Sequence, residues 1–149
     1  RQILGVYDKG LLKTFANVSN LLKMHHVLVV HGNDGLDEIS ITDKTFVTEL
    51  KDGNLNEFEI QPEDFGLSRA NIKALKAETP EESLELINAA FEGKESPAQD
   101  MISLNAGASL YLSSASNSIK EGVSLAKELL NNGKAKQTFS SYIEMTNSL

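Results

Sequence analysis

The sequence predicts an α/β fold: a mixed sheet with an antiparallel hairpin, followed by C-terminal helices. Three observations predict it. Val27-Leu28-Val29-Val30 is short and wholly apolar, as suits a strand buried on both faces. Thr45 to Leu50 and Leu55 to Ile60 flank Lys51-Asp52-Gly53-Asn54, and Asp-Gly between such runs marks a hairpin, because glycine takes a positive φ at little cost. From about residue 68 the pattern turns helical and stays so.

Each element has its own justification. Gln2-Ile3-Leu4-Gly5-Val6 reads as sequence from the middle of a domain. Asp8 to about Lys23 reads as a helix, because Leu11, Phe15, Val18 and Leu22 recur at steps of four, three and four, one helical face. His25 and His26, before the apolar strand, read as loop residues. After the strand the chain turns through His31-Gly32-Asn33-Asp34-Gly35, and Asp37 to Ile41 reads as a short strand. In the hairpin, Glu57 and Glu59 alternate with Phe58 and Ile60, so one face is expected to be wet. Gln61 to Leu67 is a connector. Three helix starts are then legible: Thr79-Pro80-Glu81-Glu82, Ser96-Pro97-Ala98-Gln99 and Ser118-Ile119-Lys120-Glu121 each place a capping hydroxyl three residues before Glu or Gln. Gly93 and Gly133 sit where helices stop. The helix from about Pro97 to Ser113 is apolar on several sides, and Ala106, Gly107 and Ala108 favour close helix packing. Phe139, Tyr142, Ile143 and Met145 mark a terminal helix.

The 149 residues are read as a single partial α/β domain, strand-rich over 27–60 and helical over 68–149. The strand at Val27 to Val30 asks for parallel neighbours on both sides. No second apolar strand of its kind follows, so those neighbours are expected in sequence outside this chain.

Hydrophobic residues make up 40% and charged residues 23%, an ordinary globular balance. A formal net charge of -7 argues against a general nucleic-acid binder, which needs a basic face, and against an anionic membrane surface as partner. With no cysteine, thiol catalysis, disulfides and Cys-ligated zinc are excluded. No apolar run is long enough to cross a bilayer, no leader pattern opens the chain, and a cytoplasmic home is expected. The arginines are Arg1 and Arg69, so a phosphate ligand would need positive charge from a metal ion or another segment.

The richest constellation is Asp34-Gly35-Leu36-Asp37-Glu38, at the end of the apolar strand, where ligand sites gather in open α/β sheets. Three carboxylates in five residues repel one another unless a cation or solvent separates them. Hard oxygen ligands suit Mg²⁺, which takes one or two carboxylates with phosphates and water. A solvated acidic turn fits the spacing as well. His31, at the same strand end, reads either as a hydrogen-bonded structural histidine or as a proton carrier. Asn105, in the most apolar helix, reads as a residue that bonds a neighbouring backbone and fixes packing. No nucleophile elbow, dinucleotide fingerprint or P-loop occurs.

Val29 to Ser40, VVHGNDGLDEIS, resembles the HG-x-DGLDE-x-S segment of the anthranilate phosphoribosyltransferases. Further matches come in order: Gly5-Val6; Pro62-Glu63-Asp64-Phe65-Gly66-Leu67; Asn105-Ala106-Gly107-Ala108 followed by Leu110-Tyr111; Glu121-Gly122-Val123; and Gly133-Lys134-Ala135. The resemblance implies the C-terminal part of a large domain of the nucleoside-phosphorylase/phosphoribosyltransferase type. It implies phosphoribosyl transfer from 5-phosphoribosyl diphosphate to anthranilate in tryptophan biosynthesis, with Mg²⁺ held by Asp37 and Glu38. The family's GTGGD loop, KHGN segment and anthranilate-gripping arginine have no counterpart here, so the chain by itself is expected to be inactive. No catalytic or cofactor-gripping residue beyond the metal pair is assigned. The usual GG…NA pattern is replaced by Ala77-Glu78-Thr79-Pro80-Glu81-Glu82, which puts any role tied to it in doubt. A pyrimidine or thymidine phosphorylase and a non-catalytic binding or assembly module are the rival readings, and a homodimer is the assembly to test.

Overall fold

The computed structural model describes residues 1–148. Four strands form one sheet in the order β1-β2-β3-β4: β1 (Gln2–Gly5), β2 (His26–Gly32), β3 (Thr45–Lys51) and β4 (Asn54–Ile60). Helix α1 (Leu12–Leu21) links β1 to β2. Helices α2 (Pro80–Phe91), α3 (Pro97–Ser113), α4 (Ile119–Asn131) and α5 (Lys134–Asn147) follow the sheet.

β2 is one of two interior strands, and its apolar run is explained by having a core on each face. Val27 and Val29 pack with Leu12, Ala16, Phe46 and Leu50 on the α1 side. Leu28 and Val30 pack with Ile39, Ile41, Val47, Leu104 and Ala108 on the α3 side. The expectation that both neighbours of this strand lie outside the chain is overturned. β1 pairs with β2 in parallel, from Gln2↔Val27 to Gly5↔Val30, and β3 pairs with it antiparallel. Four residues with no alternation left β1 invisible as a strand. Its far edge has no partner among the described residues.

The hairpin forms as its turn residues demand. Asp52 (φ 48) and Gly53 (φ 82) carry the positive angles, and β3 and β4 pair from Thr45↔Ile60 to Lys51↔Asn54. On β4, Phe58 and Ile60 face the core while Glu57 and Glu59 stay exposed, with Lys13 and Lys44 as ion partners at 3.3 and 2.9 Å. Among the connecting segments, Pro62–Phe65 forms a 3₁₀ turn.

Three sequence expectations are corrected. Asp37 to Ile41 is not a strand. Ile39 and Ile41 are buried plugs whose alternation imitates one, and the backbone between β2 and β3 is satisfied by side chains instead of a ladder. His26 is not a loop residue but the first residue of β2, buried, with Nε2 donating to Glu49 Oε1 at 2.7 Å. The helix after Asp8 opens as a 3₁₀ turn at Lys9–Leu11, and most of its periodic face points outward. Leu12, Ala16 and Ser19 are buried, and Leu11 packs half-buried against the core, whereas Phe15, Val18 and Leu22 of the same face are exposed. Small side chains at 16 and 19 let the helix lie close to the sheet.

All three capping boxes form helix starts. Thr79, Ser96 and Ser118 each accept a bond from the backbone N–H three residues on. α3 and α4 then meet almost backbone to backbone. A Cβ on Gly107 would lie 2.4 Å from the Val123 nitrogen, and one on Gly122 would lie 2.2 Å from the Gly107 carbonyl oxygen. The other side of α3 is less buried than its composition implies: Ile102, Ala106 and Leu110 line an open groove with Ala126 and Leu130 of α4.

Candidate metal-binding loop

The acidic loop lies where β1 and β2 both end. These parallel strands leave their carboxyl ends side by side, so residues 31–38 emerge at the place where open α/β sheets collect ligands. His31 is half-buried, and its Nδ1 donates to the Val6 carbonyl at 2.8 Å, which fixes the ring against β1. That bond supports the structural reading of His31. Gly32 accepts from Gly35 N–H at 2.9 Å and donates to Leu36 O at 2.8 Å, closing a tight turn with Gly35 at φ 91.

The three carboxylates do different work. Asp34 is an internal anchor. Its Oδ1 accepts from the Leu36 N–H at 3.2 Å, and its Oδ2 accepts from the hydroxyls of Ser40, at 2.5 Å, and of Thr42. Partial burial pushes its carboxyl up, but the bonds from Ser40, Thr42 and the backbone outweigh that and hold it below the usual carboxylate range. Asp34 is thus committed within the loop. Asp43, further along, accepts from Asn33 at 2.7 Å and pairs with Arg69 at 3.0 Å, and Arg69 is also held by Glu63 and Gln61. This second arginine neutralises its own neighbours.

Asp37 and Glu38 remain. Both are exposed, and neither carboxylate has a hydrogen bond or ion pair among the described residues. Partial desolvation by its surroundings first, and then the neighbouring Asp37 charge, raise the Glu38 carboxyl above its ordinary range. Adjacent carboxylates with free oxygens fit a hard divalent cation, which would remove that repulsion. Among the described residues no cluster of three or more His, Cys, Asp or Glu stands ready to hold a metal. The donor set therefore fits Mg²⁺, which keeps water and substrate oxygens, and does not fit a closed all-protein cage.

Two contacts fix the loop backbone, and sequence reasoning assigned neither to the site. The Asp37 carbonyl lies against Gly5, so close that a Cβ there would stand 1.6 Å from its oxygen. Asn105 of α3 grips Ile39 from the other side. Its Oδ1 accepts from Ile39 N–H at 3.0 Å, and its Nδ2 donates to Ile39 O at 2.9 Å and to Met101 O at 3.1 Å. The backbone-fixing reading of Asn105 holds, with a partner 66 residues away. Gly5-Val6 stood among the matched motifs, but nothing in it tied Gly5 to Asp37.

At the opposite end of the sheet sits a second polar cluster. Tyr111 of α3 donates to Glu49 at 2.8 Å, beside the His26 bond, and the His26 and Tyr111 rings meet edge to face at 4.9 Å. Burial and the Glu49 carboxylate both push the Tyr111 hydroxyl up and keep it protonated.

Residues 1–136 match the model of the glycosyl transferase family, a/b domain. The anthranilate phosphoribosyltransferase of Vesicomyosocius okutanii is 44% identical over 142 residues, 95% of this chain and 42% of that protein. That of Methanobrevibacter smithii is 42% identical over 147 residues, 99% of this chain and 44% of that protein. Anthranilate phosphoribosyltransferase from Saccharomyces cerevisiae in complex with PRPP and Mg superposes with a TM-score of 0.87 at 29% identity, over 100% of this chain and 43% of that one. The enzyme from Thermus thermophilus gives 0.83 at 34% identity, over 94% and 41%. The chain spans less than half the length of these relatives. The family match, the sheet that places the acidic loop and the agreement of both kinds of relative lead to one conclusion: this chain belongs to the glycosyl transferase family through its a/b domain, and is similar within it to the anthranilate phosphoribosyltransferases.

Proposed function

We propose that the chain is part of the large α/β domain of an anthranilate phosphoribosyltransferase and contributes the Mg²⁺ ligands of its diphosphate site. The observation that carries this is the unpartnered Asp37-Glu38 pair, set on a loop at the carboxyl ends of two parallel strands. The yeast relative solved with PRPP and Mg, and a second solved with 4-fluoroanthranilate at a TM-score of 0.88, support the substrate class.

The reaction joins the anthranilate amine to the anomeric carbon of the phosphoribosyl group as diphosphate leaves. A bound Mg²⁺ supplies positive charge to the departing diphosphate oxygens. Asp37 and Glu38 would hold that ion and fix its place relative to the strand ends. Asp34 does not join them, because its oxygens are spent on Leu36, Ser40 and Thr42. Lys44 and Arg69 are already paired with carboxylates, and the grip on phosphate and the recognition of anthranilate are assigned to other parts of the parent enzyme. No helix among the described residues is long and apolar enough to cross a membrane. A homodimer remains the assembly to measure.

The test uses the complete enzyme that contains this segment. Anthranilate fluorescence is expected to fall on mixing with 5-phosphoribosyl diphosphate and Mg²⁺, and the Asp37→Ala, Glu38→Ala double variant is expected to lose at least about 100-fold in turnover. Failure of the unaltered enzyme to consume anthranilate would overturn the function. Full activity in the double variant would overturn the metal assignment alone.

A further inference from the structure

We infer that Asn105 is a positioning residue for the metal pair, acting from α3 through the peptide of Ile39; this rests on the Mg²⁺ reading above. The loop from Asp37 to Ile39 has no strand partner, yet Ile39 is 1% exposed and both of its peptide groups are bonded. The bonds come from one carboxamide, which offers acceptor and donor side by side as a neighbouring strand would. Asn105 itself is tied to its own helix by the third bond, to Met101 O at 3.1 Å, so its rotamer is fixed before it meets the loop.

The geometry brackets Glu38. On one side the Asp37 carbonyl rests on Gly5 of β1; on the other the Ile39 peptide is gripped by α3. Side chains at 37 and 38 therefore leave a backbone that cannot rotate freely. For a cation held by only two carboxylates, that restraint is much of the affinity, since each ligand arrives already oriented. Aspartate is not equivalent at 105. It could still accept from Ile39 N–H but would turn a second oxygen toward the Ile39 and Met101 carbonyls.

The experiment follows Mn²⁺ by electron paramagnetic resonance, bound to the complete enzyme with 5-phosphoribosyl diphosphate present. Asn105→Ala and Asn105→Asp are each expected to weaken Mn²⁺ about 10–100-fold, the usual loss when a ligand's supporting partner is removed. Ser109→Ala, one turn along the same helix, is expected to leave it unchanged. In the metal-free protein, exchange of the Ile39 amide hydrogen is expected to quicken in Asn105→Ala. That readout reports the grip itself and needs no activity. Folded Asn105 variants that hold Mn²⁺ as tightly as the unaltered enzyme would overturn the inference, and if Asn105→Ala fails to fold, Asn105→Asp decides. Mn²⁺ binding that survives loss of Asp37 and Glu38 would instead bring down the metal reading, a result distinct from either.

Discussion

Gly5 has no side chain, and the fold fills that space with the carbonyl of Asp37. Adding one methyl group there meets backbone, which cannot swing aside as a flexible side chain would. Gly5→Ala is therefore expected to cost about 1–3 kcal/mol and to displace the acidic loop. Denaturant melts would show the first effect, and weaker Mn²⁺ binding the second. Asp34 carries a different expectation. Its folded carboxyl lies below the ordinary 3.8, so its contribution is present above that value and is lost as pH falls through it and then through the lowered one. Between about pH 5 and 2 the melting temperature should drop more steeply in the unaltered protein than in Asp34→Asn. Equal acid limbs in the two proteins would refute the anchoring role. At this scale the site was only half legible. DGLDE marked an acidic loop and led to Asp37 and Glu38 as the proposed metal pair; the supports Gly5 and Asn105 lie 32 and 66 residues from their contacts, read from Asp37 and Ile39 respectively. No spacing rule reaches that far.

Elements with strong local chemistry matched their sequence patterns closely. Ser96-Pro97 starts α3, and Ser114, at φ 65, ends it with a left-handed residue, because caps and prolines act within one turn. Elements defined by their surroundings were misread. β1 is a strand because β2 lies beside it, not because Gln2-Ile3-Leu4-Gly5 favours one. Residues 37–41 mimic alternation because two isoleucines reach the core from an irregular path. The outward apolar face of α1 shows the same limit, since periodicity marks a helix but does not choose the face that is buried. The tie between α3 and β3 gives a prediction here. Tyr111→Phe leaves Glu49, 9% exposed, with one bond fewer and should cost about 1–3 kcal/mol in denaturant melts. A neutral result would mean that His26 alone satisfies the carboxylate.

Across the described residues, two small cores sit on opposite faces of one four-stranded sheet, and β1 has no partner on its far edge. The groove along Ile102, Ala106 and Leu110 is open as well. The proposed metal pair lies at the carboxyl ends of β1 and β2, while buried His26 and Glu49 with half-buried Tyr111 brace the far end. Among the described residues the acidic pair has no cationic partner. The chain alone is therefore expected to show no anthranilate consumption with 5-phosphoribosyl diphosphate and Mg²⁺ by fluorescence. An enzyme-like rate would mean that a phosphate grip lies within these residues after all.

The crossing at Gly107 and Gly122 has a mechanical consequence. Two helices whose backbones touch cannot slide or roll past each other without collision. Asn105 is two residues from that crossing, so the loop it grips is bolted to a stiff plate of α3, α4 and sheet. Such a plate holds the acidic pair at a fixed place relative to the strand ends, so an ion arriving there meets a backbone that is already set and does not have to be ordered by binding.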